Sequence, residues 1–396
     1  MEYRTVPRSS QKVSVIGLGM GSIHAADARE VEETVRLALD AGVNLFDFIP
    51  SEAAPFEGYA RALKGRRDQA LMQVHLGADY SSGKYGWTTD AALAISQFEE
   101  RLRTLGTDYA DFGFIHCIDE DADFDQVMNG GIWDYACRMK KEGVIRHLAF
   151  STHDVGVARR FLATGAMDWG MFSLNPLYDY TDASDYGKGE ADDRARLYRE
   201  FEAAGVGISV MKAFAGGQLL DAAASPFGRA LTKAQCIQYA LDKPGVASVL
   251  PDVRGKQDLL DVLAYFDATA EKRDYSVLGE FAPPAAEGSC VYCNHCQPCP
   301  RGIQIGLANK YYDLARLGDA LAADHYRELE HHAGDCVQCG HCDARCPFGV
   351  RQGARMREIA PTSAGRGRSS IRACRMTESK RTRQAQDIPE PGAPAL

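Results

Sequence analysis

Two cysteine runs constrain this chain more than any other feature. The first reads Cys290-x2-Cys293-x2-Cys296-x2-Cys299-Pro300 and the second Cys336-x2-Cys339-x2-Cys342-x3-Cys346-Pro347, so they hold eight of the twelve cysteines. A [4Fe–4S] cube needs four converging thiolates. Three at x2 spacing wrap one face, and a fourth arrives from elsewhere, often just before a proline; in two-cluster domains that fourth thiolate serves the other cube. The spacing therefore assigns Cys290, Cys293, Cys296 and Cys346 to one cluster, and Cys336, Cys339, Cys342 and Cys299 to a second. Only two residues separate Cys296 from Cys299 where three is usual, which keeps a single-cluster arrangement open.

Zinc and disulfides are the competing readings. Paired CxxC units can hold structural zinc, but zinc needs four ligands and no Cys-Pro ending. A disulfide framework belongs to a secreted protein. The start, Met1-Glu2-Tyr3-Arg4, has no apolar run like a signal peptide, and nothing approaches the ~20 apolar residues of a membrane span. The expectation is a cytoplasmic chain with reduced thiols and no membrane contact. Cys117, Cys137, Cys236 and Cys374 stand outside the runs, and the first three read as ordinary core residues.

Charge is uneven. Residues 351–396 carry 10 basic and 4 acidic side chains, net +6, against 35 and 50, net −15, in the rest. The acidic body argues against nucleic acid as a partner. From Pro361 on, Arg, Ser, Gly and Pro without apolar periodicity predict a basic, disordered tail over 361–396, which is also a candidate docking arm for an acidic partner.

Upstream, apolar runs and helical periodicities alternate. Strands are predicted at 13–18, 44–47, 70–76, 109–116, 147–151, 169–174, 207–212 and 246–250, with helices between them, one of them spanning 127–141. Gly17-Leu18-Gly19-Met20-Gly21 lacks the third glycine at the spacing of a dinucleotide fingerprint, and the distal acidic residue is missing from its expected place. Eight strand–helix units in about 270 residues fit a (β/α)8 TIM barrel, whose chemistry sits where strands end. The composition breaks after Arg273. The expected plan is a barrel over 1–273, a Pro/Gly linker over 274–287, a small, mainly α-helical ferredoxin-like domain over 288–360, and the tail.

Several stretches together resemble the aldo/keto reductase family. They are Val15-Ile16-Gly17-Leu18-Gly19, Ala41-Gly42-Val43-Asn44-Leu45-Phe46-Asp47, Asp108-Tyr109-Ala110-Asp111 leading to Ile115-His116, Gly143-Val144-Ile145-Arg146 leading to Phe150-Ser151-Thr152-His153, and Asn175-Pro176. With the cysteine region, the chain is similar to the subgroup carrying a C-terminal iron–sulfur domain. The resemblance implies reduction of carbonyl compounds with NADP or NAD, through an Asp, Tyr, Lys, His tetrad at the barrel mouth. Asp47 and His116 match two of the four. Glu52 is nearest the tyrosine's place, and His75 ends the strand where the lysine belongs; Tyr80 or Tyr85 offers a substitute hydroxyl.

On the cofactor side the resemblance implies that Ser151 and Asn175 face a nicotinamide carboxamide. Met171 replaces a usual glutamine. Pro251-Asp252-Val253-Arg254 replaces the phosphate turn, with Lys212 and Arg254 as candidate anion contacts. Each residue also has a plain structural reading: Asp47 as a loop cap, His75 and His116 as core histidines, His153 beside an N-capping Asp154, Glu52 as a solvated carboxylate, Lys212 as an ion-pair partner.

Three functions follow. The first is an oxidoreductase acting on a small organic substrate at the barrel mouth, with electrons from 4Fe–4S clusters fed by a ferredoxin or flavoprotein; conventional NAD(P)H reduction with peripheral clusters is its variant. The second is a metal-assisted lyase or isomerase using Asp47, His75, His116 and His153. The third is an electron-transfer or sensor protein on a non-catalytic barrel.

Overall fold

The computed structural model describes residues 1–49, 53–82, 85–180, 187–281, 288, 290, 296–316, 326–327, 329–346 and 348–363. Glu52, Cys293 and the tail beyond Ser363 lie outside the described residues. Eight short strands follow one another: β1 (Leu18–Gly19), β2 (Leu45–Phe48), β3 (Leu71–Leu76), β4 (Ala110–Ile115), β5 (Ile145–Thr152), β6 (Trp169–Ser173), β7 (Gly207–Met211) and β8 (Val246–Val249). Each pairs in parallel with the next. Ile16 bridges Val249, with Gly17 N–H on Val249 O and Val249 N–H on Val15 O, both 2.9 Å, and this joins the two ends of the sheet. The architecture is a (β/α)8 barrel.

Strands buried on both faces read as near-continuous apolar runs, and β3 and β4 are buried at every residue. One core fills the barrel: Leu45, Leu71, Phe112, Phe114, Trp169 and Leu250 pack there with Val6 and Val13. Val13 belongs to an antiparallel pair, Tyr3–Thr5 with Lys12–Ser14, and Val6 follows its first strand; the single strand expected over 13–18 is therefore divided between this pair and β1. A second core lies between the strands and the surrounding helices.

Helix starts follow side-chain capping. Asp27 accepts from Arg29 N–H and Glu30 N–H, and so begins the helix Ala28–Asp40 three residues before its first apolar position, Val31. The helix expected over 127–141 is two helices, Asp121–Asn129 and Ile132–Glu142. Gly131, at φ +101°, breaks it in a conformation that L side chains rarely adopt.

The cysteine region folds around the helices Ile305–Arg316 and Gln352–Ser363, with Ile303, Ile305, Ala308, Tyr326, Met356 and Ile359 packed together beside Cys296 and Cys342. Residues 1–363 form one compact unit. Phe348 and Val350 belong to the barrel's outer core, and Cys290 and Cys346 pack against it. The Phe348 ring lies 6.1 Å from that of Tyr180, in the segment after β6. No helix among the described residues is long and apolar enough to cross a membrane.

Candidate active site and cluster sites

Asp47, Gln73 and His75 meet because of register and alternation. Asp47 on β2 is paired with Gln73 on β3, and His75, two residues on, points to the same face. Gln73 Oε1 accepts from Trp169 Nε1–H at 3.0 Å, which turns its amide nitrogen toward Asp47 Oδ1 at 2.8 Å. The same carboxylate oxygen lies 2.8 Å from His75 Nε2. A carboxylate only accepts, so His75 donates from Nε2. All three side chains are buried.

The line continues. His75 Nδ1 is 2.8 Å from His116 Nδ1, just past the end of β4, and His116 Nε2 is 2.7 Å from the Tyr85 hydroxyl. His75 stacks on Phe114, its cross-strand partner, at 4.7 Å, which fixes its ring plane. Tyr85 is delivered by a short antiparallel pair after β3, Ala78–Asp79 with Gly86–Trp87. The residue is 47% exposed while its hydroxyl turns inward onto His116.

Electrostatics keep the line poised. Burial first, then the charges of His75, Arg101 and His153, hold His116 well below the usual imidazole range. Burial, then Cys117 and Asp47, push the Tyr85 phenol up, so its proton stays on at neutral pH. Arg101 donates to His75 O at 2.9 Å from beneath the site; burial lowers its pKa to about 10, which leaves it cationic at neutral pH.

The other candidates are placed as follows. Ser151 Oγ accepts from Cys117 N–H at 2.8 Å and lies 3.5 Å from His116 Nδ1. Asn175 is fully buried; it donates to Lys212 O at 2.7 Å and accepts from Tyr178 N–H at 3.0 Å. Lys212 sits at φ +61°, just past β7. Arg254 is exposed and paired with Asp258 at 2.7 Å. Asp154 caps the helix Val155–Ala163 through Val157 N–H, and His153 Nδ1 lies 2.8 Å from Asp119 Oδ2. Cys117 is only half-buried, a correction to its reading as core, because the chain turns outward after His116 at φ +51°. Cys137 is half-buried on its helix too, while Cys236 is core.

In the cysteine region one cavity is lined by Cys299, Cys336, Cys339 and Cys342, the set assigned to one cluster, with Cys296 also on its wall. Gln352 Nε2 lies 3.8 Å from Cys290 Sγ and 3.9 Å from Cys346 Sγ, which puts together two members of the other set. The donor set suits iron–sulfur ligation: among the described residues, four cysteines of one assigned set border the same cavity and none of its lining residues is a carboxylate.

Comparison with known proteins bears on the fold and on the cysteine region. Residues 15–228, more than half of the chain, match the aldo/keto reductase family. The chain belongs to the aldo/keto reductase family. Residues 289–351 match a 4Fe-4S dicluster domain. Among curated relatives, the aldo-keto reductase YhdN of Bacillus subtilis is 29% identical over 125 residues, covering 29% of this chain and 38% of that protein. The L-glyceraldehyde 3-phosphate reductase of Escherichia coli is 23% identical over 138 residues, covering 32% and 39%. The matched segments thus span about two fifths of these relatives. A solved structure of aldo-keto reductase AKR11C1 from Bacillus halodurans superimposes with TM-score 0.58 at 21% identity, over 71% of this chain and 96% of that one. An aldo/keto reductase from Klebsiella pneumoniae, solved with NADP and acetate, gives 0.50 at 18% identity, over 71% and 95%. At these identities the structural likeness speaks for the fold alone.

Within this aldo/keto reductase the sequence singled out Asp47, His75 and His116, which the fold brings into one line. It left Tyr80 and Tyr85 undecided, and it missed Gln73, Arg101, Trp169 and Gln352. The signal for Gln73 was there: a polar residue inside an apolar strand, two positions before His75.

Proposed function

We propose that this aldo/keto reductase reduces a small polarised organic substrate, a carbonyl compound being the class nearest its relatives, at the mouth of the barrel. Tyr85 is the proton donor, His75 takes the family lysine's place, and the tetrad is accordingly altered. The observation that carries this reading is the unbroken line Asp47–His75–His116–Tyr85, with contacts of 2.8, 2.8 and 2.7 Å.

The line has two proton arrangements. In the resting one Tyr85 donates to His116 Nε2, His116 donates from Nδ1 to His75 Nδ1, and His75 donates to Asp47. With one proton more, His75 is a cation balanced by Asp47. His75 then donates from Nδ1 to His116, and His116 donates from Nε2 to the Tyr85 oxygen, leaving the phenol proton turned toward substrate. Delivery of that proton returns the line to rest, so one proton leaves His75 Nδ1 and one reaches the substrate; a carbonyl that takes up two single electrons needs two protons, so the line is reprotonated and discharged twice per turnover. The low basicity of His116 suits a conduit that is never doubly protonated for long.

Cys299, Cys336, Cys339 and Cys342, with Cys290, Cys293, Cys296 and Cys346, would hold the clusters, which when bound supply electrons one at a time. We favour this source, fed by a ferredoxin or flavoprotein in the cytoplasm, over NADP or NAD. Ser151 and Asn175 already serve the backbone, and Arg254 is paired with Asp258. The metal-assisted alternative at Asp47, His75 and His116 is less favoured, since a cation there would break the line that reaches Tyr85.

The test is anaerobic turnover of cluster-loaded protein on a panel of small aldehydes and ketones, with a reduced viologen or with NADPH. Viologen-dependent activity lost in Tyr85→Phe and in Cys339→Ser supports the reading. Fast NADPH turnover untouched by either change overturns it.

A further inference from the structure

The relay leaves a second cluster of chemistry-bearing side chains at the same rim unused. Cys117 and Asp119 lie on the loop after β4, and His153 follows β5. Their ligating atoms all lie within 4.8 Å of one another, the one such group among the described residues. We propose that Cys117, Asp119 and His153 form a binding site for one borderline-soft divalent cation of the zinc class, separate from the cluster cysteines.

The donor chemistry carries the choice of ion. One thiolate, one imidazole and one carboxylate suit zinc, and three protein ligands leave the fourth tetrahedral position for water or substrate. The size is close to right. Ligands roughly 2.0–2.3 Å from an ion stand about 3.5 Å apart in a tetrahedron. The 2.8 Å contact between Asp119 Oδ2 and His153 Nδ1 therefore opens slightly, and the most distant pair closes by at most about 1.3 Å.

The loop is held ready for this. Asp119 Oδ1 accepts from Thr152 Oγ1–H at 3.0 Å and from His153 N–H at 2.6 Å, so Oδ2 is the oxygen that can exchange the imidazole for an ion. Cys117 is tied by its N–H to Ser151 Oγ at 2.8 Å, and Ile118 N–H to Ser151 O at 3.1 Å. These bonds hold Cys117 at φ +51°, a conformation that a non-glycine residue keeps only where the surroundings impose it. Both Cys117 and Asp119 are half-buried, so the site opens to the mouth. Two cations oppose the ion: the charge of Lys212 reaches Cys117, and Lys188 donates to Asp119 O at 3.2 Å, balanced by Glu120 at 2.9 Å. Binding converts the Cys117 thiol to a thiolate and releases one proton to buffer. Without a cation the same residues form a clasp in which Asp119 orients His153.

The experiment is equilibrium dialysis of radiolabelled zinc against the cluster-loaded, full-length protein, with iron assayed alongside. One zinc per chain is expected in excess of the iron, bound roughly tenfold or more weaker in Cys117→Ala and in Asp119→Asn, with iron unchanged. Zinc-edge X-ray absorption should show a single sulfur ligand at about 2.3 Å with nitrogen or oxygen for the rest. Should Asp119→Asn loosen the loop, Cys117→Ala, a small change at a half-buried position, still decides. Zinc uptake unchanged by Cys117→Ala, a shell of several sulfurs, or no uptake at micromolar zinc each overturns the proposal.

Discussion

His75 Nδ1 and His116 Nδ1 face each other at 2.8 Å across the β3–β4 boundary, both rings buried and nearly perpendicular at 89°. Two imidazoles so placed cannot both hold a proton on the shared side, nor can both lack one without losing the bond. The pair therefore carries one proton in one of two places. At rest it sits on His116 Nδ1; when the line holds one proton more it sits on His75 Nδ1, opposite Asp47, and the hydroxyl of Tyr85 reads out the choice.

Replacing Tyr85 by Phe removes the terminal donor and leaves the two histidines in contact. Activity should fall by roughly 10²–10⁴, the usual worth of a positioned acid, mainly in kcat. A merely structural tyrosine would change neither kcat nor the curvature of a proton inventory in mixed light and heavy water. The wild-type protein should give a curved inventory, because several protons move in line.

Asp47→Leu should cost stability as well as activity. It leaves buried donors on both Gln73 and His75 without their acceptor, at about 1–3 kcal/mol for each stranded group. Asp47→Asn keeps an acceptor oxygen but no charge to balance a protonated His75. It should fold nearly normally and still lose activity. Urea unfolding alongside turnover separates the two effects.

His116 makes the protein acid-sensitive. Its pKa in the fold lies well below 6.5, its ordinary value, mainly through burial. Between those two values the unfolded chain binds a proton that the folded chain refuses, so stability rises with pH there. As pH falls below about 6.5 this contribution is progressively lost. Melting temperature measured from pH 7.5 down to 5 should drop in the wild type and drop less in His116→Gln.

The strands and the ends of β2 and β4 were legible because apolar runs of β type recur in order, and the polar residues closing them stand out. Tyr85 was not. It is placed by two strands of two residues each, too short for any periodicity to register. Gln73 was passed over because its role depends on register with Asp47 and on Trp169, 96 positions away. The break at Gly130-Gly131 was in plain view, but the apolar positions on either side fall in step and read as one helix. The packing of Phe348 into the barrel core had no local signal, since a phenylalanine beside a Cys-Pro pair is as easily part of the cysteine region's own core.

Phe348 is 2% exposed and sits with Val350 in the barrel's outer core. Phe348→Ala should destabilise the whole unit by about 3–5 kcal/mol, as expected for a large aromatic lost from a shared core. Calorimetry on cluster-loaded protein tests this. A shift confined to a separate cysteine-region transition, with the barrel transition unmoved, would show that the contact contributes nothing to the barrel.

The last prediction concerns Gln352, which is 2% exposed. Arg355 Nε–H donates to Asn309 Oδ1 at 3.1 Å, and Asn309 Nδ2–H donates to Gln352 Oε1 at 2.8 Å. The glutamine's acceptor is thereby occupied, and its amide N–H groups are left pointing at Cys290 and Cys346. Hydrogen bonds to ligating sulfurs withdraw charge and raise a cluster's reduction potential. Gln352→Leu keeps the volume and removes the donor, so the cluster ligated by this pair should become harder to reduce while the other keeps its potential. Potentiometric titration followed by electron paramagnetic resonance, on protein carrying roughly eight iron per chain, reads the two separately. A downward shift of one wave supports the pairing of Cys290 with Cys346 on one cube. A shift of both waves, or of neither, means that these two thiolates do not share a cluster that Gln352 tunes.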